Sequence, residues 1–258
     1  MAVPVVALAA VVAVAAFVVA GRIGVGRAGP GVHRAAALHT STVPAPQAAP
    51  GPMPVPLPSD PASVASAAVA AVPVYPWPGG GTPGMTLPNP DSLGAPLVFL
   101  ATATEGAWVQ VELPTRPNGA TGWVPASDVT ISQVPYRIVV ALGARLLTLY
   151  RAGAPVLQSA IAPGAPSSPT PTGSFYVTEV LKLTDAGSAY GPYALGLSAF
   201  SDTYYSFDGG PGQIAIHGTN QPWLIGSYAS HGCVRLPNQA ITTIAQQVPA
   251  GTPVDIEP

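Results

Sequence analysis

Downstream of residue 70 the chain alternates apolar and polar positions in short bursts separated by glycine, proline and small polar residues. Trp108-Val109-Gln110-Val111-Glu112-Leu113 has period two, with Val109, Val111 and Leu113 on one side and Trp108, Gln110 and Glu112 on the other. Leu97–Leu100 is an apolar strand run, Pro117-Asn118-Gly119 marks a turn, Gly122–Pro125 resumes as a strand, and Ser127-Asp128-Val129 closes the segment. After Val134-Pro135, which reads as a seam, Arg137–Leu142 and Arg145–Tyr150 form a hairpin about Gly143-Ala144. A turn at Ala152-Gly153 leads into Pro155–Ile161, and the Pro- and Ser-rich stretch from Gly164 to Gly173 is a loop. Ser174–Val180, Tyr193–Ser198, Gln213–Ile216 and Pro253–Ile256 are further strands. One stretch has helical spacing instead: Ile241, Ile244, Ala245 and Val248, with Asn238 as the expected cap. The pattern predicts a mainly β protein, a small domain over 71–132 followed by a β-sandwich over 136–257 with one late helix.

The N-terminal part is built differently. Residues 2–20 are Ala, Val, Leu, Phe and one Pro, long enough to cross a bilayer at ~1.5 Å per residue. Residues 1–20 therefore read as a membrane anchor or signal segment. Arg22, Arg27 and Arg34 follow the run and no basic residue precedes it, a flank that by itself favours a cytoplasmic C-terminal side. Residues 21–70 read as an Ala/Pro-rich disordered linker, with eight prolines between Ser41 and Ala62 favouring extended polyproline II.

Charge changes the picture mainly by exclusion. Only 8% of the 258 residues are charged and the net charge is -2, so no basic field points to nucleic acid and no acidic cluster to a calcium cage. Cysteine usage is more telling. The sole cysteine is Cys233, and of four histidines His33 and His39 lie in the linker, leaving His217 and His231 beside it in sequence. Every residue able to form a thiolate–imidazole pair thus falls in one window, Ile214 to Asn238. Cys233 sits in the turn before the expected helix, where the helix dipole favours a thiolate. Gly232 allows close backbone approach, and successive amides there can form an oxyanion hole. A metal site built from His217, His231 and Cys233 is the competing arrangement, but it needs a carboxylate or water as fourth ligand, so no metal is expected.

The window Ile-Ala-Ile-His217-Gly218-Thr219, a loop, then Ser230-His231-Gly232-Cys233-Val234-Arg235 resembles the active-site signature of the L,D-transpeptidase catalytic family, the YkuD domain. The resemblance covers about Tyr136 to Ile256 and implies a β-sandwich in which Cys233 is the nucleophile and His217 the general base. It implies further that the Gly218 carbonyl orients the His217 ring, that Ser230, His231 and Gly232 shape the pocket and its donors, and that Arg235 holds the motif loop or a substrate carboxylate. The implied reaction forms 3→3 peptidoglycan cross-links through a thioester, with stem peptides as donor and acceptor and no cofactor. Water as acceptor (a carboxypeptidase) or a protein amine would use the same residues. A non-catalytic wall-binding protein is the alternative from another class. The family's substrate implies an extracytoplasmic location, in the cell wall or periplasmic space, with membrane contact through residues 1–20 if they are retained.

The Gly-Trp-Val strand at 122–124 with its short following turn resembles bacterial SH3-like barrels, so the small domain is expected to be SH3-like. Its tryptophans, Trp108 and Trp123, are expected to fill a small core, with sugar stacking as the functional alternative. Between Leu181 and Gly212 lie Tyr190, Tyr193, Tyr204, Tyr205 and Phe207, a composition suited to a lid or to a packed loop.

Overall fold

A computed structural model describes residues 61–258, Ala186 excepted. The apolar segment 1–20 and nearly all of the Ala/Pro-rich stretch lie outside the described residues. Among the described residues no helix is long and apolar enough to cross a membrane.

The first half comprises β1 (Ala62–Ala67), β2 (Ala71–Val74), β3 (Met85–Pro88), β4 (Val98–Glu105), β5 (Trp108–Glu112), β6 (Thr121–Pro125) and β7 (Val129–Val134). Five of these form an antiparallel sheet in the order β6-β5-β4-β1-β7, and β2 and β3 pair as a separate ribbon. The alternation in β5 has the expected consequence: Val109 and Val111 are buried with Phe99, Val124, Val72 and Val74. Two sequence expectations are corrected here. Ala62–Ala67, read as linker, is a strand, pairing with β4 on one side and β7 on the other. Its small residues look like spacer, yet Ala62, Val64 and Ala65 are buried between the two neighbouring strands. The tryptophans do not fill the core. Trp108 and Trp123 lie half-buried on the other face, Trp108 packed edge-on to Tyr75 at 5.0 Å.

The second half continues with β8 (Tyr136–Ala141), β9 (Leu146–Arg151), β10 (Ala154–Ala160), β11 (Gly173–Lys182), β12 (Tyr193–Phe200), β13 (Gln213–His217), β14 (Val234–Arg235), α1 (Asn238–Ala245) and β15 (Pro253–Glu257). The turn between β9 and β10 has positive φ at both Ala152 (48°) and Gly153 (75°), the twist that a two-residue hairpin requires. The strands run β10-β9-β8-β15-β11-β12-β13-β14, with β8·β15 and β13·β14 parallel. The long strand β11 belongs to two parts of this sheet: Gly173–Tyr176 pair with β15, and Val177–Lys182 pair with β12. One core cluster collects Ile138, Leu147 and Leu149 from the first part, Leu195, Leu197 and Ile216 from the second, and Ile241 and Ile244 from α1. Both parts and the helix thus exclude water from the same interior.

The two halves are welded at the seam. Tyr176, fully buried, packs with Val64, Val98 and Val134, and its hydroxyl donates to the Glu112 carbonyl at 3.3 Å. A Cβ at Gly251 would collide with Val64, so β1 also presses on the turn before β15. Truncating a buried aromatic of this size costs about 3–5 kcal/mol, and losing the hydroxyl's one bond about 0.5–1.5 kcal/mol. Tyr176→Ala should therefore lower the unfolding midpoint far more than Tyr176→Phe, and chemical denaturation followed separately by tryptophan fluorescence and far-UV dichroism should show the two halves melting apart only in the alanine variant.

Candidate active site

The period of two in β13 creates the site. Ile214 and Ile216 are buried in the core, which turns Gln213, Ala215 and His217 to the opposite face. Next to β13, β14 runs parallel, with Ile216 opposite Val234 and His217 opposite Arg235. That register brings Cys233 beside Ala215, whose N–H donates to Sγ at 3.4 Å. His217 and Cys233 thereby line one cavity of about 390 Å³, together with Tyr190, Phe207, Asp208, Ser230, His231 and Arg235. Of the seven residues singled out in the sequence, five face this space. The other two, Gly218 and Gly232, shape its backbone.

His217 is 3% exposed, and its Nδ1 lies 2.6 Å from the Gly218 carbonyl. A carbonyl only accepts, so Nδ1 carries the proton and Nε2 keeps a free lone pair. Burial lowers the imidazole to about 4; the Arg235 charge pushes the same way and the Gly218 carbonyl opposes. Burial also pushes the Cys233 thiol up, while the Ala215 N–H and the Arg235 guanidinium pull it back. At neutral pH the resting pair is therefore a thiol and a neutral imidazole. This corrects the expectation of a thiolate favoured by the helix end: β14 intervenes between Cys233 and α1, and desolvation is the larger effect.

Ser230 is a buttress. Its Oγ donates to the Cys233 carbonyl and accepts from the Gly232 N–H at 3.1 Å. That bond engages the Gly232 amide, which the sequence reading had offered to an oxyanion. The amides of His231 and Cys233 have no protein partner among the described residues. Gly232 adopts φ +123°, and a Cβ there would press on Ile214. His231 is exposed, its ring 5.3 Å from Phe207 and 6.1 Å from Tyr204. Arg235 Nη1 donates to Gln221 at 3.2 Å, and its Nε is buried without a partner. Among the described residues no group of three His, Cys, Asp or Glu side chains is disposed to hold a metal ion.

Three residues have roles at the site that the sequence did not assign to them. Tyr190 packs against the His217 ring in a tilted arrangement, 4.7 Å between centroids. Asn238 does not cap α1, whose preceding residue is Pro237; its Oδ1 accepts from the Thr219 N–H at 2.8 Å. A Cβ at either Gly191 or Gly218 would collide with that oxygen, so the carboxamide is wedged against the chain just after His217. Arg116, from the first half, donates to the carbonyls of Ser201 (2.8 Å), Tyr204 (3.0 Å) and Pro211 (3.2 Å), and its neighbour Asn118 exchanges two bonds with Phe200. The aromatic segment 181–212 is not one lid: β12 divides it, and Arg116 anchors the second loop, which carries Phe207 and Asp208.

With this geometry in view, comparison with known proteins is direct. Residues 135–256 match the L,D-transpeptidase catalytic domain, YkuD. YkuD of Bacillus licheniformis is 38% identical over 125 residues, covering 48% of this chain and 67% of that protein. The chain belongs to the L,D-transpeptidase catalytic-domain family. YkuD of Bacillus subtilis is 37% identical over 123 residues, 48% of this chain and 66% of its own. A solved L,D-transpeptidase from Mycobacterium tuberculosis aligns at 20% identity over 56% of this chain and 74% of that one, with a TM-score of 0.40.

Two outcomes follow from the site. Because the thiol is raised and His217 is already neutral, alkylation of Cys233 by iodoacetamide should keep accelerating as pH climbs past the ordinary thiol value of ~8.5. A rate that levels off below pH 7 would instead reveal a preformed thiolate–imidazolium pair. In Arg116→Ala, amide hydrogen exchange should quicken by at least about tenfold across 201–212 and stay unchanged in β8 and β9, as measured by mass spectrometry.

Proposed function

We propose that this protein is a cysteine-dependent L,D-transpeptidase that joins peptidoglycan stem peptides in 3→3 cross-links. The observation that carries the reading is the placement of Cys233, just before β14, and a tautomer-fixed His217, at the end of the neighbouring β13, in one cavity of a chain in this family. Nε2 of His217 takes the thiol proton as Sγ attacks the donor carbonyl, so the charged pair exists only as the bond forms. The unengaged amides of Cys233 and His231 are suited to receive the developing oxyanion. His217 returns its proton to the departing amine of the terminal D-residue, leaving a thioester. The acceptor amine then attacks the thioester, again with His217 as base, and Sγ leaves with the proton restored. No metal or organic cofactor takes part in these steps.

The first half is proposed to be an SH3-like module, an assignment supported by its small five-stranded antiparallel sheet and the Gly122-Trp123-Val124 strand. A peptidoglycan substrate supports a proposed location outside the cytoplasm, in the wall or periplasmic space, with the protein held by or released from residues 1–20.

Incubation with a disaccharide tetrapeptide should yield a dimer lighter than two monomers by one free terminal amino acid, with a transient acyl adduct on Cys233 visible by mass spectrometry. Cys233→Ala should abolish both, and His217→Ala should slow turnover by about 10²-fold or more. Cross-linking that survives in Cys233→Ala refutes the reading, and release of tripeptide without dimer replaces the amine acceptor by water.

A further inference from the structure

The cavity beside Cys233 does not end at the catalytic pair. A second cavity of about 350 Å³ runs from Cys233 past Ala215, Gln213 and Gly196 to Glu179, and a third of about 240 Å³ continues from Glu179 to Asp91 and Leu93 in the first half. Its floor follows from the strand register. Glu179 on β11 pairs with Gly196 on β12, which pairs with Ala215 on β13, the residue whose amide contacts Sγ. Cross-strand partners share a face, so the row carries a carboxylate at one end, two small residues in the middle and the thiol at the other end. Glu179 leans over Gly196, where a Cβ would collide with its carboxylate. From Glu179 to Ala215 is two strand spacings, roughly 10 Å, or about three residues of an extended peptide.

Among the described residues Glu179 has no counter-charge of its own. It is 4% exposed; Oε1 receives a bond from Gln213 Nε2 at 3.3 Å, and the Thr178 hydroxyl lies close enough to favour the ionised form. The one ion pair among those residues is Arg137–Asp255, and neither cavity that Glu179 lines contains Lys, Arg or His. The other acids there, Asp91 and Asp208, only add to the negative field. Burial raises the Glu179 carboxyl, with Asp91 adding to the rise while Thr178 and Gln213 favour the ionised form. A buried carboxylate without a cation is costly, and an arriving ammonium would restore the balance.

We propose that Glu179 is a specificity residue that receives a cationic amino group of the peptide substrate, about three residues' reach from the thiol. The site's place beside the nucleophile rests on the acyl-transfer reading; its affinity for an amine does not. The test therefore measures binding without turnover. In the full chain carrying Cys233→Ala, calorimetry compares alanine tetrapeptides ending in D-alanine that bear a single lysine at each position in turn with twins bearing norleucine. At one position lysine should bind at least about tenfold more tightly than norleucine, and adding Glu179→Gln should erase that preference while leaving the norleucine peptide's affinity unchanged. Equal binding of every lysine and norleucine pair overturns the proposal, as does a preference that survives Glu179→Gln. The unfolding transition of the Glu179→Gln protein, expected to match its parent, excludes misfolding as the cause of any loss.

Discussion

Two parallel register pairs, Ile216 with Val234 and His217 with Arg235, hold the chemistry together. Everything reactive is placed relative to them. They fix His217 two residues further along β13 than Ala215, the point where Cys233 meets the strand. A one-residue slip would turn His217 toward the core and Ile216 toward the cavity, because successive side chains of a strand face opposite ways. The register is in turn fixed by burial of Ile214 and Ile216 and by α1, whose Ile241 and Ile244 close the same interior. The active site thus borrows its precision from ordinary core packing.

Around that pairing the polar groups are arranged to keep the pair neutral at rest. The Gly218 carbonyl selects the tautomer, Tyr190 packs against the ring, and desolvation acts on both partners in the same sense, disfavouring charge. An exposed, permanently ionised thiolate would be open to oxidation. A half-buried thiol that ionises only as it attacks is chemically quieter between turnovers.

Much of this was legible in the sequence, and the exceptions share a cause. Strands such as Trp108–Leu113 and Gln213–Ile216 announce themselves by alternation, and the motif at 217–235 by type and spacing. Tertiary partners do not announce themselves. Asn238 has the sequence of a helix cap but serves Thr219, a residue brought near only by folding. Ala62–Ala67 has the composition of a spacer and becomes a central strand because β4 and β7 flank it. The trough toward Glu179 exists because Gly196 and Ala215 coincide across three strands, a coincidence that sequence distance conceals.

The weld between the halves has a practical consequence. Severing the chain at Pro135 to obtain a minimal catalytic fragment would strip Tyr176 of its aliphatic wrapping and leave the carbonyls of Ser201, Tyr204 and Pro211 without their guanidinium. Such a fragment would keep its nucleophile but carry an oily scar and an untethered rim. Inhibitors selected against it would be fitted to a mouth that the intact protein does not present.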